Sequence, residues 1–167
     1  MAVSVLELTA ESAVAGRELG GDMQSIRQLL DNKGHQVWSV NADSTVYDAL
    51  RLMAEKGIGA LLVMQAGKMV GIVSERDYAR KIVLEGKSSL KTPVSEIMST
   101  SVTHTHPSDS VADALGVMTD RRIRHLPVLE NGRILGIISI GDLVKAIIAD
   151  QEILIGQLES YIAGALA

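Results

Sequence analysis

The chain has 167 residues, of which 47% are hydrophobic and 22% are charged, and its formal net charge is −4. This length suits one domain or two small ones that share a core, and the composition is that of a globular protein. The chain has no cysteine, which excludes disulfides, thiolate nucleophiles and cysteine-ligated metal centres. A mildly acidic chain with 2% aromatic residues is also a poor candidate for a nucleic-acid binder, which needs a basic face and stacking rings.

The sequence predicts no membrane segment. A spanning helix needs about 20 apolar residues, whereas the uncharged run from Gly57 to Gly67 has eleven. The N-terminus has no basic region and carries Glu7 and Glu11, so it does not resemble a secretory signal. We therefore expect a cytoplasmic protein, with residues 1–22 as a loose extension and Met23 as an alternative start.

An internal repeat organises most of the chain. Residues 46–80 and 111–145 align without a gap at an offset of 65 residues, and thirteen of the 35 positions are identical. The identical pairs include Gly71/Gly136, Ser74/Ser139 and Asp77/Asp142. Identity at this level indicates a duplicated unit.

Each copy of the repeat begins with a predicted strand and a helix. The expected strands are residues 37–40 and 102–105. The helices start after a hydroxyl residue, Thr45 or Ser110, which is followed three positions later by an aspartate, as in a capping box. The apolar residues behind each cap recur at helical spacing, so one face of each helix should be buried.

A hairpin and a second helix complete each copy. Two short apolar runs flank a glycine turn, and Asn131-Gly132 is the stronger of the two hairpin signals. The predicted strands are 60–64 and 69–73 in the first copy, and 126–129 and 134–138 in the second. A further helix should begin at Ser74 and at Ser139. The unit is therefore β-α-β-β-α, and it occurs twice in an α+β protein.

The segments outside the repeat connect the copies and extend them. Residues 94–99 lead into the second copy, and residues 26–30 are a looser counterpart before the first. Apolar residues at helical spacing over 147–162 predict a helix that packs on the module or on a second subunit; its acidic polar face argues against a membrane surface. The expected boundaries are 1–22 (extension), 24–85 (first motif), 86–93 (linker), 94–149 (second motif) and 150–167 (C-terminal helix).

These residues carry a family resemblance over about positions 24–150. The two copies resemble cystathionine-β-synthase-type (CBS) motifs, and the whole resembles a stand-alone CBS pair, or Bateman module. The resemblance rests on Val94-Ser-Glu-Ile-Met98, Ile123-Arg-His-Leu-Pro-Val128, Gly71-Ile-Val-Ser-Glu-Arg-Asp77 and Gly136-Ile-Ile-Ser-Ile-Gly-Asp142. We call the last two of these seven-residue motifs heptads. One heptad would be weak evidence, but two heptads in register after matching hairpins are specific evidence. The implied fold pairs the motifs around a pseudo-two-fold axis.

The resemblance also implies ligand sites in the clefts between the motifs. In that family the clefts bind adenosine nucleotides, with the heptad serine at the phosphate and the aspartate at the ribose hydroxyls. A helix N-terminus favours anions in its own right, and a carboxylate can accept two hydroxyl hydrogen bonds. Gly71 and Gly136, without side chains, would let a ligand approach the backbone. The alternative is that each Ser-x-x-Asp is an ordinary capping box that needs no ligand.

The two copies differ before their second strand, so we do not expect the two clefts to be equivalent. The second copy has Arg121-Arg-Ile-Arg-His125 where the first has Lys56-Gly-Ile-Gly-Ala60. By the resemblance, basic residues that enter this strand reach phosphates, so Arg124 and His125 are the phosphate candidates and Arg76 is a further one. The alternative is a solvated charge run. Gly59 and Ala60 leave room for an adenine ring. The ligand-binding candidates are Gly59, Ala60, Ser74, Arg76, Asp77, Arg124, His125, Pro127, Ser139 and Asp142.

Other chemistry finds little support in the sequence. His104 and His106 share one face of a predicted strand, but no third ligand stands at metal-binding spacing, so we predict no metal site. No phosphate-binding loop or catalytic triad can be assembled, so we predict no enzyme activity. Trp38 is expected to pack rather than to stack on a ligand, and His35 to lie at the surface.

The predicted function is that of a non-catalytic regulatory sensor. AMP is the first expectation for its ligand, with ADP, ATP or NAD as alternatives. The resemblance implies a homodimer, and an unidentified protein effector would receive the signal; no nucleic acid or membrane is expected. The main alternative is a structural or protein-interaction module whose clefts are closed by side chains. A nucleotide hydrolase is a third possibility.

Overall fold

The elements follow the order that the repeat predicts, in a computed structural model that describes residues 24–165; the expectations for residues 1–22 and for Met23 lie outside this range. The helices are α1 (Ile26–Lys33), α2 (Val46–Lys56), α3 (Glu75–Tyr78), α4 (Val111–Arg121) and α5 (Ile140–Ala165). The strands are β1 (Ser39–Asn41), β2 (Ala60–Gln65), β3 (Lys68–Ser74), β4 (His125–Glu130) and β5 (Arg133–Ser139). A π-helical turn (Ala79–Val83) follows α3, and a 3₁₀ turn (Val94–Glu96) precedes the second motif.

The two hairpins repeat one another down to their register. Ala60 pairs with Ser74 in the first hairpin and His125 with Ser139 in the second, each 65 residues further on. In both hairpins the strand pairing shifts register after the equivalent valine, which is Val63 in the first hairpin and Val128 in the second. Both turns have two consecutive residues with positive φ, the arrangement of a type I′ hairpin turn. The predicted hairpins are therefore confirmed.

The first strand of the second motif differs from the prediction. In the first motif β1 runs parallel to β2, but the expected strand at 102–105 is reduced to a single bridge between Thr105 and Val128. The cause lies at Pro127. Its counterpart Leu62 donates its N–H to Trp38 O at 3.3 Å, and a proline nitrogen has no hydrogen to donate. The second sheet therefore has two strands.

The first helix of each motif has the predicted N-cap. The Thr45 and Ser110 hydroxyls accept the N–H groups of Asp48 and Asp113. Each helix ends on a residue in the left-handed conformation. In α2 this residue is Gly57, with φ 65°, whereas in α4 it is Arg122, with φ 54°.

Each motif completes its core with a segment from outside its own repeat. Ile26, Leu29 and Leu30 of α1 belong to the buried cluster of the second motif, with Val111, Ala114, Met118, Leu126, Val128, Ile138, Leu143 and Ala146. Val94 and Ile97 belong to the cluster of the first motif, with Ala42, Val46, Ala49, Met53, Leu61, Val63, Val73 and Ile82. The segment at 26–30, predicted as the counterpart of residues 94–99, forms a helix with a complete capping box at Ser25 and Gln28.

The C-terminal helix is continuous with the second helix of the second motif. α5 has 26 residues, and only Leu143 and Ala146 among them are buried. Residues 151–165 are all exposed. This part of the helix therefore does not pack on its own module, which was one of the two packing arrangements predicted for it. No helix within residues 24–165 has the length and hydrophobicity needed to span a bilayer.

Candidate functional site

A cleft of about 300 Å³ lies between the two motifs and is lined by both of them. We call it the first cleft. Its lining is Gly59, Ala60, Ile72, Ser74, Glu75, Arg76, Asp77, Arg80, Ser99, Ser101, Thr103, Arg122, Ile123, Arg124 and His125. Seven of the ten sequence-predicted ligand residues are brought together here; Pro127, Ser139 and Asp142 are not among the lining residues. The volume is at the lower end of the range for small-molecule sites.

The heptad of the first motif forms a complete capping box at the wall of this cleft. The Ser74 N–H and hydroxyl both donate to Asp77 Oδ2 at 2.9 Å, and the Asp77 N–H donates back to Ser74 Oγ at 3.4 Å. Asp77 Oδ1 lies 3.1 Å from Lys81 Nζ, one helical turn on. The box holds the carboxylate in one orientation, as the capping alternative requires, and leaves it at the cleft wall, as the ligand hypothesis requires.

The heptad of the second motif has the same box but a different cation. Ser139 N–H and hydroxyl donate to Asp142 Oδ2 at 2.8 and 2.9 Å. Lys33 Nζ, from the end of α1, donates to the same oxygen at 2.5 Å and to Ile137 O at 2.8 Å. Burial alone would raise the pKa of Asp142, but hydrogen bonds from Lys33 and Ser139, with the Lys33 charge, lower it below its ordinary value.

The cation at the second heptad comes from α1, outside the repeat. We call the surface around Ser139 and Asp142 the second cleft. Lys33 of α1 pairs with Asp142, whereas Asp77 in the first cleft pairs with Lys81 of its own motif. The two heptad aspartates therefore have cations from different parts of the chain.

Four arginines line the first cleft: Arg76, Arg80, Arg122 and Arg124. Arg76 Nη1 donates to the backbone oxygen of Arg122 at 3.0 Å, which ties the heptad helix to the end of α4. Within residues 24–165, no ion pair joins any of the four to a carboxylate. Sequence reasoning missed Arg80 and Arg122, although each stands close to a residue that it had selected, and it missed Ser99, Ser101 and Thr103.

His125 lies where the cleft approaches the second heptad. A Cβ atom added to Gly59 would stand 3.4 Å from His125 Cε1, so the small residue at 59 makes room for this imidazole. Burial lowers the pKa of His125, and the charges of Lys33 and Arg124 lower it further, against the opposing effect of Asp142. Its ring is therefore neutral near pH 7, and the guanidinium groups supply the positive charge of the cleft.

The structure corrects the role expected for Gly71 and Gly136. A Cβ atom at Gly71 would lie 2.7 Å from Met98 Sδ and 2.9 Å from Ser99 O, and one at Gly136 would lie 2.7 Å from Leu30 Cδ2. These glycines admit protein atoms and leave no approach for a ligand. Pro127 lies buried within β4, where its carbonyl accepts the Thr105 N–H.

The other residues considered in the sequence analysis, Trp38, His35, His104 and His106, lie outside the lining of the first cleft. Trp38 packs against the first core, and Lys56 Nζ lies 4.4 Å from the centre of its ring, as expected for a packing residue. His35 is exposed and bonds to Leu135 O and Asp31. The rings of His104 and His106 meet edge to face at 5.3 Å, and the part of the chain that the structure describes holds no group of three or more metal-ligating residues.

Comparison with known proteins agrees with this architecture. The family model of the CBS domain matches residues 33–84 and 94–149. The chain is 37% identical over 158 residues to the mitochondrial CBS domain-containing protein CBSX3 of Arabidopsis thaliana, an alignment that covers 88% of this chain and 76% of the relative. It is 34% identical over 121 residues to YhcV of Bacillus subtilis, over 72% of this chain and 84% of the relative.

Solved structures share the fold. A protein with CBS domains from Burkholderia ambifaria MC40-6 superposes with a TM-score of 0.74 at 50% identity, over 77% of this chain and 96% of the other. The CBS domain pair of protein MJ0100, solved with methylthioadenosine and S-adenosyl-L-methionine, superposes with a TM-score of 0.66 at 20% identity, over 75% of this chain and 96% of the other. The two hairpins in one register, the exchanged core segments and these matches lead to one conclusion: the chain belongs to the CBS domain family, as a tandem pair of the regulatory kind.

Proposed function

We propose that this protein is a non-catalytic sensor that binds an adenosine nucleotide in the first cleft. One observation carries the proposal: a carboxylate fixed by its own capping box shares one cavity with four arginines, two from each motif. Asp77 is suited to accept hydrogen bonds from ribose hydroxyls, and guanidinium groups are suited to phosphate oxygens. The complex of MJ0100 with two adenosine-containing ligands supports the class of ligand.

We propose that the second cleft does not bind nucleotide. The positions of the repeat that match Arg76, Arg122 and Arg124 are Gly141, Gly57 and Gly59, so the second heptad lacks the guanidinium groups that would bind phosphates. The expected stoichiometry is therefore one nucleotide per chain, which isothermal titration calorimetry measures directly.

A nucleotide in the first cleft would connect the two motifs. Ser74, Arg76 and Asp77 belong to the first motif, and Arg122 and Arg124 to the second. A ligand that contacts both sides binds one relative arrangement of the motifs better than others and so shifts the equilibrium towards it. That shift is the signal that an effector protein would read.

The test is thermal melting of nucleotide-stripped protein with AMP, ADP, ATP, NAD, NADH and S-adenosylmethionine. A ligand at 100 times its dissociation constant stabilises the folded state by about 2.7 kcal/mol, which at about 2–4 °C per kcal/mol is a shift of several degrees. Asp77→Asn should abolish the shift. Asp142→Asn is the matched control, since it changes the same residue of the other heptad, and it should keep the shift.

Two outcomes would count against the proposal. If none of these ligands at millimolar concentration changes the melting temperature, the adenosine-sensor function is wrong. If Asp142→Asn abolishes the shift while Asp77→Asn keeps it, the ligand binds in the second cleft and the assignment of the clefts is reversed.

The alternative function, an interaction module without a ligand, has one observation in its favour. Asp77 is already bonded to Ser74 through one oxygen and paired with Lys81 through the other. Lys81 Nζ also donates to Ile97 O at 2.6 Å, which anchors it. A carboxylate with these partners needs no nucleotide. Unchanged melting temperatures with every ligand above would favour this function.

We also propose a cytoplasmic homodimer in which α5 contributes to the contact. The exposed part of this helix presents large apolar side chains: Ile148, Ile153, Leu154, Ile155, Leu158, Tyr161 and Ile162. Apolar surface of this kind is typical of protein–protein contacts. Multi-angle light scattering of the purified protein should give the mass of two chains; the mass of one chain would contradict the dimer.

A further inference from the structure

The arginines of the first cleft exceed what a single phosphate can use. A guanidinium group is a fork of donors that matches a phosphate edge. Arg76, Arg80, Arg122 and Arg124 line the cleft, and Arg76 uses its Nη1 for the backbone oxygen of Arg122. Of the two carboxylates in the lining, Asp77 is paired with Lys81, which leaves Glu75 as the one lining carboxylate without an ion pair in the described chain. The cleft therefore carries a surplus of positive charge inside a mildly acidic protein.

The surplus is specific to this cleft. The repeat offset places Gly141 opposite Arg76, Lys145 opposite Arg80 and Gly57 opposite Arg122. Three arginines of the first cleft thus correspond to two glycines and one lysine on the other side of the molecule. Arginines that served only solubility would not all lie at one cleft. The fold does not require arginine at these positions either, since the matching positions of the other motif hold glycine or lysine.

The backbone conformation of Arg122 also indicates a role for this residue in the cleft. This residue has φ 54°, in the left-handed region where a side chain is strained, and its counterpart Gly57 has φ 65° in the same position at the end of the same helix. Glycine meets the conformational demand at no cost, as the first motif shows. A strained residue that persists where glycine would fit indicates a role for its side chain, and Arg122 is among the residues that line the cleft.

We propose that the first cleft selects nucleotides with two or more phosphates and that Arg122 is a residue that determines this specificity. The inference rests on the proposed function, because it assumes that the nucleotide binds in this cleft. Asp77 positions the ribose, Arg76 and Arg124 contact the nearer phosphate, and Arg80 and Arg122 contact the phosphates beyond it. ADP and ATP then bind more tightly than AMP, although AMP was the first expectation from the sequence.

The test is isothermal titration calorimetry of nucleotide-stripped protein with AMP, ADP and ATP, without divalent metal. ATP should bind about tenfold more tightly than AMP or better, the size expected for added charge-assisted hydrogen bonds. Arg122→Gly should lower the affinity for ATP and leave that for AMP nearly unchanged, so that the ratio collapses. The variant copies the residue of the first motif, so it should fold, which its melting curve verifies.

The matched control is Arg121→Ala, which removes the same charge from the neighbouring, exposed residue outside the cleft. It should leave both affinities unchanged. Equal affinities for AMP and ATP would overturn the inference while the sensor function stands. Equal weakening of AMP and ATP by Arg122→Gly would remove Arg122 from the specificity. If no nucleotide binds, the proposed function itself fails.

Discussion

Gly71 and Gly136 occupy equivalent positions in the two hairpins but face different neighbours. A Cβ atom at Gly71 would meet the Ser99 backbone oxygen at 2.9 Å as well as the Met98 side chain, whereas the three atoms nearest to one at Gly136 all belong to the Leu30 side chain. Ser99 is held there by reciprocal hydrogen bonds with Ile72, at 2.9 and 3.0 Å, so its backbone cannot move away freely. The same substitution should thus have unequal costs.

We expect Gly71→Ala to lower the free energy of unfolding by about 1–3 kcal/mol, the usual range for an added methyl group in a filled site. Gly136→Ala should cost less, because a leucine can change rotamer where a backbone carbonyl cannot. Urea unfolding of the two variants measures the difference. A larger loss for Gly136→Ala would show that the first contact is the softer one.

His125 should make stability depend on pH. Burial, with the charges of Lys33 and Arg124, lowers the pKa of His125 from 6.5 in the folded protein. As the pH falls below about 6.5, the unfolded chain therefore binds a proton that the folded protein does not, and stability decreases until the pKa of the folded state is reached. The melting temperature between pH 7.5 and 5 should show this decrease, and His125→Gln should reduce it.

His35 is the control for this measurement. Hydrogen bonding to Leu135 O, and then to Asp31, raises its pKa above 6.5, so its contribution is complete below that pH and is lost as the pH rises through the folded-state pKa. Its effect thus has the opposite direction and falls in a higher pH range. If His35→Gln, and not His125→Gln, removed the loss of stability below pH 6.5, the assignment to His125 would be wrong.

At the scale of elements, the repeat predicted most of the fold, and the exceptions have physical causes. The hairpins could be predicted because alternating apolar runs and a turn sequence are local signals. The strand at 102–105 could not be rejected from its own residues, because the proline that removes its hydrogen bond is on the neighbouring strand, at Pro127. The helix at 26–33 was not predicted, because its apolar residues are buried by the more distant of the two motifs.

Removal of residues 150–167 should leave the CBS pair folded. None of the described residues from 151 onwards is buried, and none of them lines the first cleft. The truncated chain should therefore keep its cooperative melting transition and its nucleotide affinity, while light scattering should show weaker self-association than in the full chain. Loss of the melting transition would show that the exposed part of α5 stabilises the module.

At the scale of the whole molecule, the two cores have different arrangements along the chain. The first core lies entirely within residues 38–98, because Val94 and Ile97 follow their own motif. The second core combines residues 26–30 with residues 111–147. Prediction of the site was limited in the same way. The heptads could be identified because they are local sequence motifs. Ser99 and Ser101 could not, because they reach the first cleft only through this exchange of segments.

A fragment of residues 34–99 should therefore fold, whereas one of residues 24–86 should not. Both fragments contain the first motif, but the second fragment lacks Val94 and Ile97, which are fully buried in the whole protein. Burial of each such side chain contributes about 1.5–3 kcal/mol, a large share of the stability of a small domain. Circular dichroism during heating compares the two. Equal transitions in both would show that the exchanged segment is dispensable.

The exchange of segments has an evolutionary consequence. A single motif of this kind, with its completing helix placed before it as α1 is, cannot close its own core, because that helix packs on the other copy. Two such chains would each donate the helix to the other, in the manner of a domain-swapped dimer. Gene duplication with fusion would then preserve every contact of that dimer while making its two halves free to diverge. Lys33 in one cleft and the arginines in the other are differences that only a fused pair can hold, since identical chains would have to carry both in both places.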